Sequence, residues 1–163
     1  MANVDSRGGA KLAGRVLSIH VYPKQTNAII YPGDFVMLNT LGKALVATAG
    51  STHLLGVSAD YVLAADTEVT VYDDPDQQYY LQDDGAAGTL AATAVGQNID
   101  LLATAGNTTL LKSQHRADTN TVTFVTANLR ILDKFPTDDW GDYVRLRVVI
   151  NEHVWAKKLG GTV

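Results

Sequence analysis

The side chains of this 163-residue chain with the most chemical potential are four histidines and three aspartate clusters. The histidines are His20, His53, His115 and His153; the clusters are Asp73-Asp74-Pro75-Asp76, Asp83-Asp84, and Asp138-Asp139 with Asp142. Imidazoles hold zinc when the sequence brings two to one face, as HxH and HExxH spacings do. These four stand far apart, which predicts strand and loop histidines, with His53 and His115 in or beside solvated turns. Carboxylate oxygens at this density would suit Ca2+, which gathers about six to eight oxygens around one point. The DxDxDG loop is absent, however, and Asp beside Pro and Gly is the composition of a solvated turn. Paired carboxylates also cleave glycosidic bonds, but across a cleft, usually with aromatic sugar platforms, and the two tryptophans, Trp140 and Trp155, both lie near the C-terminus. No serine sits in a GxSxG elbow, and no glycine run has the flanking strand and helix of a phosphate loop. The residues predict no catalytic set, no metal and no cofactor.

Cations are unevenly placed. Arg7, Lys11 and Arg15 fall within the first 15 residues, beside a single acid, on a chain of net charge −4. Glycine-rich and without apolar periodicity, residues 1–15 are expected to form a flexible basic arm that orders on a partner's acidic surface. The net negative charge argues against non-specific binding to nucleic acid or an acidic membrane. No apolar run approaches the roughly 18 residues of a membrane-spanning helix, and no continuous apolar stretch marks a signal peptide. Zero cysteines exclude disulfides and thiolate nucleophiles and suit folding in a reducing cytoplasm.

The elements that must position these groups read almost wholly as strands. Residues 16–22 alternate, with Leu17, Ile19 and Val21 on one face. Residues 28–38 hold two apolar runs split by a Pro32-Gly33-Asp34 turn. KALVAT, HLLGVSADYVL, EVTVY and QYYLQD follow, each bounded by Gly, Asp or Pro. In QYYLQD the adjacent Tyr79 and Tyr80 must point to opposite faces, so at most one is in the core. The strongest alternation is the last: Val144, Leu146, Val148 and Ile150 against Arg145, Arg147 and Asn151. Strands at this spacing predict an all-β fold, an antiparallel β-sandwich or barrel, jelly-roll-like, with at most one short helix near 89–95. Residues 16–163 form the β-rich domain, with an internal boundary expected at 84–96.

The sequence nearly repeats itself, ATAGSTHLL at 47–55 and ATAGNTTLL at 103–111. In each copy an apolar strand runs into a glycine, a small polar pair follows, and Leu-Leu resumes. Turn chemistry accounts for every shared residue, so the repeat is read as scaffolding.

Four longer stretches, GDFVMLNTLGKALVATAGSTHLLGV, TVYDDPDQQYYLQDDG, AVGQNIDLLATAGNTTLLKSQHRAD and LRILDKFPTDDWGDYVRLRVVINEH, resemble the decoration or cement proteins of tailed bacteriophage heads over residues 30–155. The resemblance lies in the order of YYLQDDG, the Gly96-Gln97-Asn98 loop, the Leu-Arg-Ile-Leu strand at 129–132, the acidic Pro/Trp/Gly loop and the closing Ile150-Asn151-Glu152-His153. It implies a non-enzymatic virion protein, made in the host cytoplasm, that binds the major capsid protein on the outer surface of the head. It also implies self-association, with a homotrimer expected first and a dimer next. Arg7, Lys11 and Arg15 are then the candidate capsid or subunit contacts. An alternative from another class is a glycan- or receptor-binding module of a phage tail or cell surface, for which Tyr79, Tyr80, Trp140 and Tyr143 are the candidate aromatics.

Overall fold

A computed structural model describes residues 3–6, 8–86 and 90–156. Among them the fold is all-β, two antiparallel sheets with one 3-10 turn at Ala92–Ala94. One sheet takes β2 (His20–Pro23), β3 (Phe35–Leu38), β4 (Ala44–Val46), β5 (Leu54–Ser58) and β6 (Glu68–Tyr72), in the order β2-β6-β5-β3-β4. The other takes β1 (Lys11–Leu12), β7 (Gln78–Gln82), β8 (Asn98–Leu102), β9 (Arg116–Thr123), β10 (Leu129–Lys134) and β11 (Arg145–Ile150), in the order β1-β7-β11-β10-β8-β9. Apart from β1, each sheet is drawn from its own half of the chain. The crossing between sheets is the Asp73–Gln77 turn. Residues 84–96, the expected boundary, instead link β7 to β8 within one sheet.

Both sheets curl back on themselves. Lys24 bridges to Ala44, joining the β2 and β4 ends, and Asp83 bridges to Ala117, joining the β7 and β9 ends. Curling gives each sheet an inside. The main core packs Tyr79, Leu81, Ile99, Leu129, Ile131, Leu146 and Val148 with Phe35, Leu54 and Val57 of the five-stranded sheet. Ile30, Val36, Leu55, Val62, Val69 and Val71 fill a smaller core inside that sheet. A strand covered on both faces needs apolar residues at consecutive positions. β5 meets this demand, its five residues Leu54–Ser58 all being buried.

β11 follows the alternation read from its sequence, Leu146, Val148 and Ile150 buried and Arg145, Arg147 and Val149 half-buried. Each of these apolar side chains contributes roughly 1.5–3 kcal/mol by leaving water. Tyr79 is fully buried while Tyr80 lies on the outer face.

The two copies of the near-repeat are both turns, yet their glycines serve different needs. Gly50 adopts φ 79°, and no atom lies within 4 Å of where its Cβ would stand. At Gly106 a Cβ would sit 2.0 Å from the Tyr31 ring, so close approach excludes any side chain. The following leucines also diverge: Leu54 and Leu55 enter β5 and the core, whereas Leu110 and Leu111 are exposed.

The N-terminal residues depart most from expectation. Arg7 lies outside the described residues. Among the described residues, β1 pairs with β7, with Lys11 opposite Tyr80 and Leu12 opposite Tyr79. Ala10 is buried and its N–H donates to the Gly33 carbonyl at 3.0 Å. Further out, the Ser6 N–H donates to Gln82 Oε1 at 2.9 Å, and Gln82 Nε2 donates to the Val4 carbonyl at 2.8 Å. Asp5 pairs with the buried Arg116. Backbone pairing to an otherwise open edge holds this segment to its own domain, which composition alone does not reveal.

Candidate interaction surface

The three aspartate clusters share a design that differs from solvated turns. In each, the first aspartate is buried, and the acids that follow it are half-buried or exposed. Asp73 accepts from Ser18 Oγ at 2.8 Å, from His20 Nδ1 at 2.8 Å and from the Tyr22 hydroxyl. Burial pushes its carboxyl up, but the hydrogen bonds from Tyr22, Ser18 and His20 outweigh this and leave it below the usual carboxylate range. Burial and the Asp73 carboxylate together push the Tyr22 phenol up to about 12. Asp138 is likewise held low, its burial outweighed by Arg145, whose Nε donates to Oδ2 at 2.9 Å. Asp83 is the opposite case. Its Oδ1 accepts from the Gly85 N–H at 3.0 Å, while Oδ2 is buried without a hydrogen-bond partner. Burial raises this carboxyl to about 7, the nearby amides of Tyr143 and Gly85 offsetting only part of the cost.

Ser18, His20 and Asp73 bring together the residue types of a hydrolytic triad, but in another geometry. In a triad the imidazole holds the carboxylate on one nitrogen and the nucleophile on the other. Here both Asp73 and Ser18 lie against Nδ1, Ser18 at 3.2 Å. Nε2 cannot take the Ser18 proton, so the cluster is a fastener that ties the start of β2 to the β6–β7 turn. Replacing Asp73 with Ala leaves three donors without their acceptor. The expected outcome is a loss of about 2–3 kcal/mol and faster amide exchange confined to residues 18–22. Unchanged exchange there would contradict the fastener.

The histidines do not converge. His115 is fully buried rather than solvated. The Phe35 N–H donates to its Nδ1 at 3.0 Å, so Nε2 carries the proton and faces Asp34 Oδ1 at 3.7 Å. Burial lowers His115 to about 4 and raises Asp34. His153 is buried and lowered for the same reason, whereas His53 lies exposed in a turn at φ 63°.

Two surface features remain. The first is the stretch leading into β2. Leu17, Ile19 and Val21 share one face, as the alternation predicts, but that face points outward, with Val21 58% exposed and Ile19 46%. Tyr22 turns inward to the smaller core instead. The Lys24 N–H donates to the Thr67 carbonyl, and Tyr22 stands opposite Val69. Antiparallel alternation therefore aims the N–H and C=O of Val21 away from β6, along the edge of the sheet. Val16 and Arg15 extend this exposed strip at its N-terminal end.

The second is the outer face of the six-stranded sheet, where Lys11, Tyr80 and Arg147 are successive cross-strand neighbours. The Phe135 ring meets Tyr80 edge-on at 4.9 Å, and the Arg145 guanidinium stacks on Phe135 at 3.8 Å. Thus Lys11 and Arg15, two of the three cations singled out in the sequence, sit on separate surface features. Of the candidate glycan platforms only Tyr80 stands on this face. Tyr79 is in the core, Trp140 packs against it, and the Tyr143 ring lies over Gly85.

No family model matches the chain, and neither the curated proteins nor the solved structures return a match.

Proposed function

We propose that this protein is an adhesive structural component of a virion: it binds the outer surface of a bacteriophage capsid and stabilises the head by bridging capsomers. The observation that carries the reading is the exposed apolar strip Leu17–Ile19–Val21 at a sheet edge. Exposed edges with apolar side chains are templates for association, and soluble chains normally blunt them with charge. A chain built to attach has a reason to keep one. The likeness of residues 30–155 to head decoration proteins gives the attachment its context: the major capsid protein as partner, and copies of the chain itself as neighbours, a homotrimer before a dimer. Arg15, at the charged end of the strip, is the contact candidate that fits this reading best.

The work needs no reaction. A ligand that prefers the assembled shell stabilises it by mass action, and weak contacts repeated over several sites retain a bound oligomer far longer than one contact does. The test is to titrate purified protein onto undecorated expanded heads and count bound copies. Saturation at a fixed ratio to capsid subunits, with heads that better resist heat, is the expected outcome. A few copies at one vertex, or binding to bacterial surface glycans instead, would overturn it in favour of a receptor module.

A further inference from the structure

We infer that the outer face of the six-stranded sheet around Tyr80 is a docking site for a carboxylate-rich protein segment. The inference rests on the adhesive reading above and names the chemistry of one contact. Register sets the geometry. Lys11 on β1 and Arg147 on β11 flank Tyr80 on β7, with all three side chains on one face. Two strand spacings, about 10 Å, separate the two cations across the tyrosine ring.

Neither cation makes a close ion pair among the described residues. The Lys11 side chain is exposed and makes no ion pair or hydrogen bond among the described residues. Arg147 pairs with Asp133 only at 3.7 Å, and its side chain stays 39% exposed. The contrast with Arg145 is informative: that guanidinium is taken up by Asp138 and by the Phe135 ring. Arg145 therefore braces the wall, leaving Lys11 and Arg147 to meet a ligand. Between β1 and the β10–β11 connection lies a cavity of about 370 Å³, lined by Gly9, Lys11, Leu12, Tyr80, Phe135 and Arg145.

Charge complementarity selects the occupant. The chain as a whole is acidic, at −4, so a cationic face on it is a local feature that favours an acidic partner over another copy of the bulk surface. Carboxylates suit the site better than a nucleic-acid backbone. The two cations are isolated from one another and flank one ring, whereas phosphate tracking uses a continuous basic groove with several stacking rings. An extended segment with acids at alternate positions would set one carboxylate against Lys11, the next against Arg147, and its stem across Tyr80.

The probe is a fluorescein-labelled decapeptide of alternating Glu and Ala, followed by fluorescence anisotropy with the intact protein at low salt. Saturable binding is expected, at least tenfold tighter than for the matched Gln/Ala peptide. Lys11→Glu and Tyr80→Leu are each expected to weaken it tenfold or more, while Lys43→Glu, an equal charge change elsewhere, alters it less than twofold. Equal weakening by Lys43→Glu would overturn the site as a net-charge effect. So would the absence of saturable binding, or tighter binding of single-stranded DNA or of polygalacturonate than of the peptide at the same ionic strength. Because no capsid is present in this assay, its failure removes the acidic-segment site alone; failure of the adhesive reading would appear separately, in the copy count on heads.

Discussion

Asp83→Asn is expected to remove a large pH-dependent penalty, making the protein more stable at pH 8 but not at pH 4. The carboxyl titrates near 3.8 in the unfolded chain and near 7 in the fold. Below the first value both states are protonated and the contribution to stability is full. As pH rises the unfolded chain ionises while the fold cannot, so stability falls until the folded carboxyl titrates too. Each unit of displacement is worth about 1.4 kcal/mol, which makes the loss between pH 4 and pH 7 on the order of 4 kcal/mol. The amide abolishes this loss. Its nitrogen, standing where Oδ2 now lacks a partner, costs about 1–3 kcal/mol at every pH if no acceptor is near. Only the difference between the two proteins isolates Asp83, because His115 acts in the opposite direction. Its folded value of about 4 lies below its ordinary 6.5, so its contribution is full above 6.5 and is lost as pH falls towards 4. Urea denaturation of both proteins from pH 4 to pH 8 measures the difference, which is expected to grow by several kcal/mol with rising pH. Parallel curves would contradict the burial of an ionisable Asp83.

Deleting residues 1–12 is expected to cost on the order of 4 kcal/mol or more, because three kinds of contact go together. The β7 edge loses its partner strand. Gln82 loses its bonds to Val4 and Ser6. Arg116, only 8% exposed, loses Asp5; stripping the partner from a buried charge alone costs about 3–5 kcal/mol. For a chain of this size each kcal/mol moves Tm by about 2–4 °C, so the truncated protein should melt on the order of 10 °C lower by calorimetry. An unchanged Tm would mean that the segment is the free arm its glycine-rich composition suggests.

Where the sequence was legible, one physical constraint acted locally. β11 separates water from core across a single strand, so alternation alone identifies its buried residues. The same reasoning sets Tyr79 and Tyr80 on opposite faces, and the structure puts Tyr79 inside. It extends further than turn composition allows: Val69, Val71 and Asp73 share one parity, as do Tyr79, Leu81 and Asp83, so each aspartate inherits the buried face of its strand. That signal lay in the sequence, and the solvated-turn reading of Asp-rich clusters masked it. At 16–22, alternation identifies two faces but not which one is inside. Hydropathy turns Leu17, Ile19 and Val21 inward, whereas Tyr22 packing and the Asp73 hydrogen bonds turn them out. The burial of His115 depends on Phe35, 80 residues away in the chain, and the docking of Val4, Ser6, Lys11 and Leu12 depends on the open edge of β7. Neither contact leaves a local trace.

The central claim is that the exposed strip entering β2 holds the protein to its partner surface, and the most direct measurement is a paired count of copies bound to undecorated heads. Wild-type protein is compared with the Ile19→Asp, Val21→Asp double variant after matched melting curves have established that both are folded. Both side chains already face solvent, so the fold tolerates the change, whereas a contact surface would have to bury two carboxylates. The account predicts saturable decoration by the wild type and at least a tenfold loss of bound copies for the variant. Equal decoration by the two proteins would contradict it.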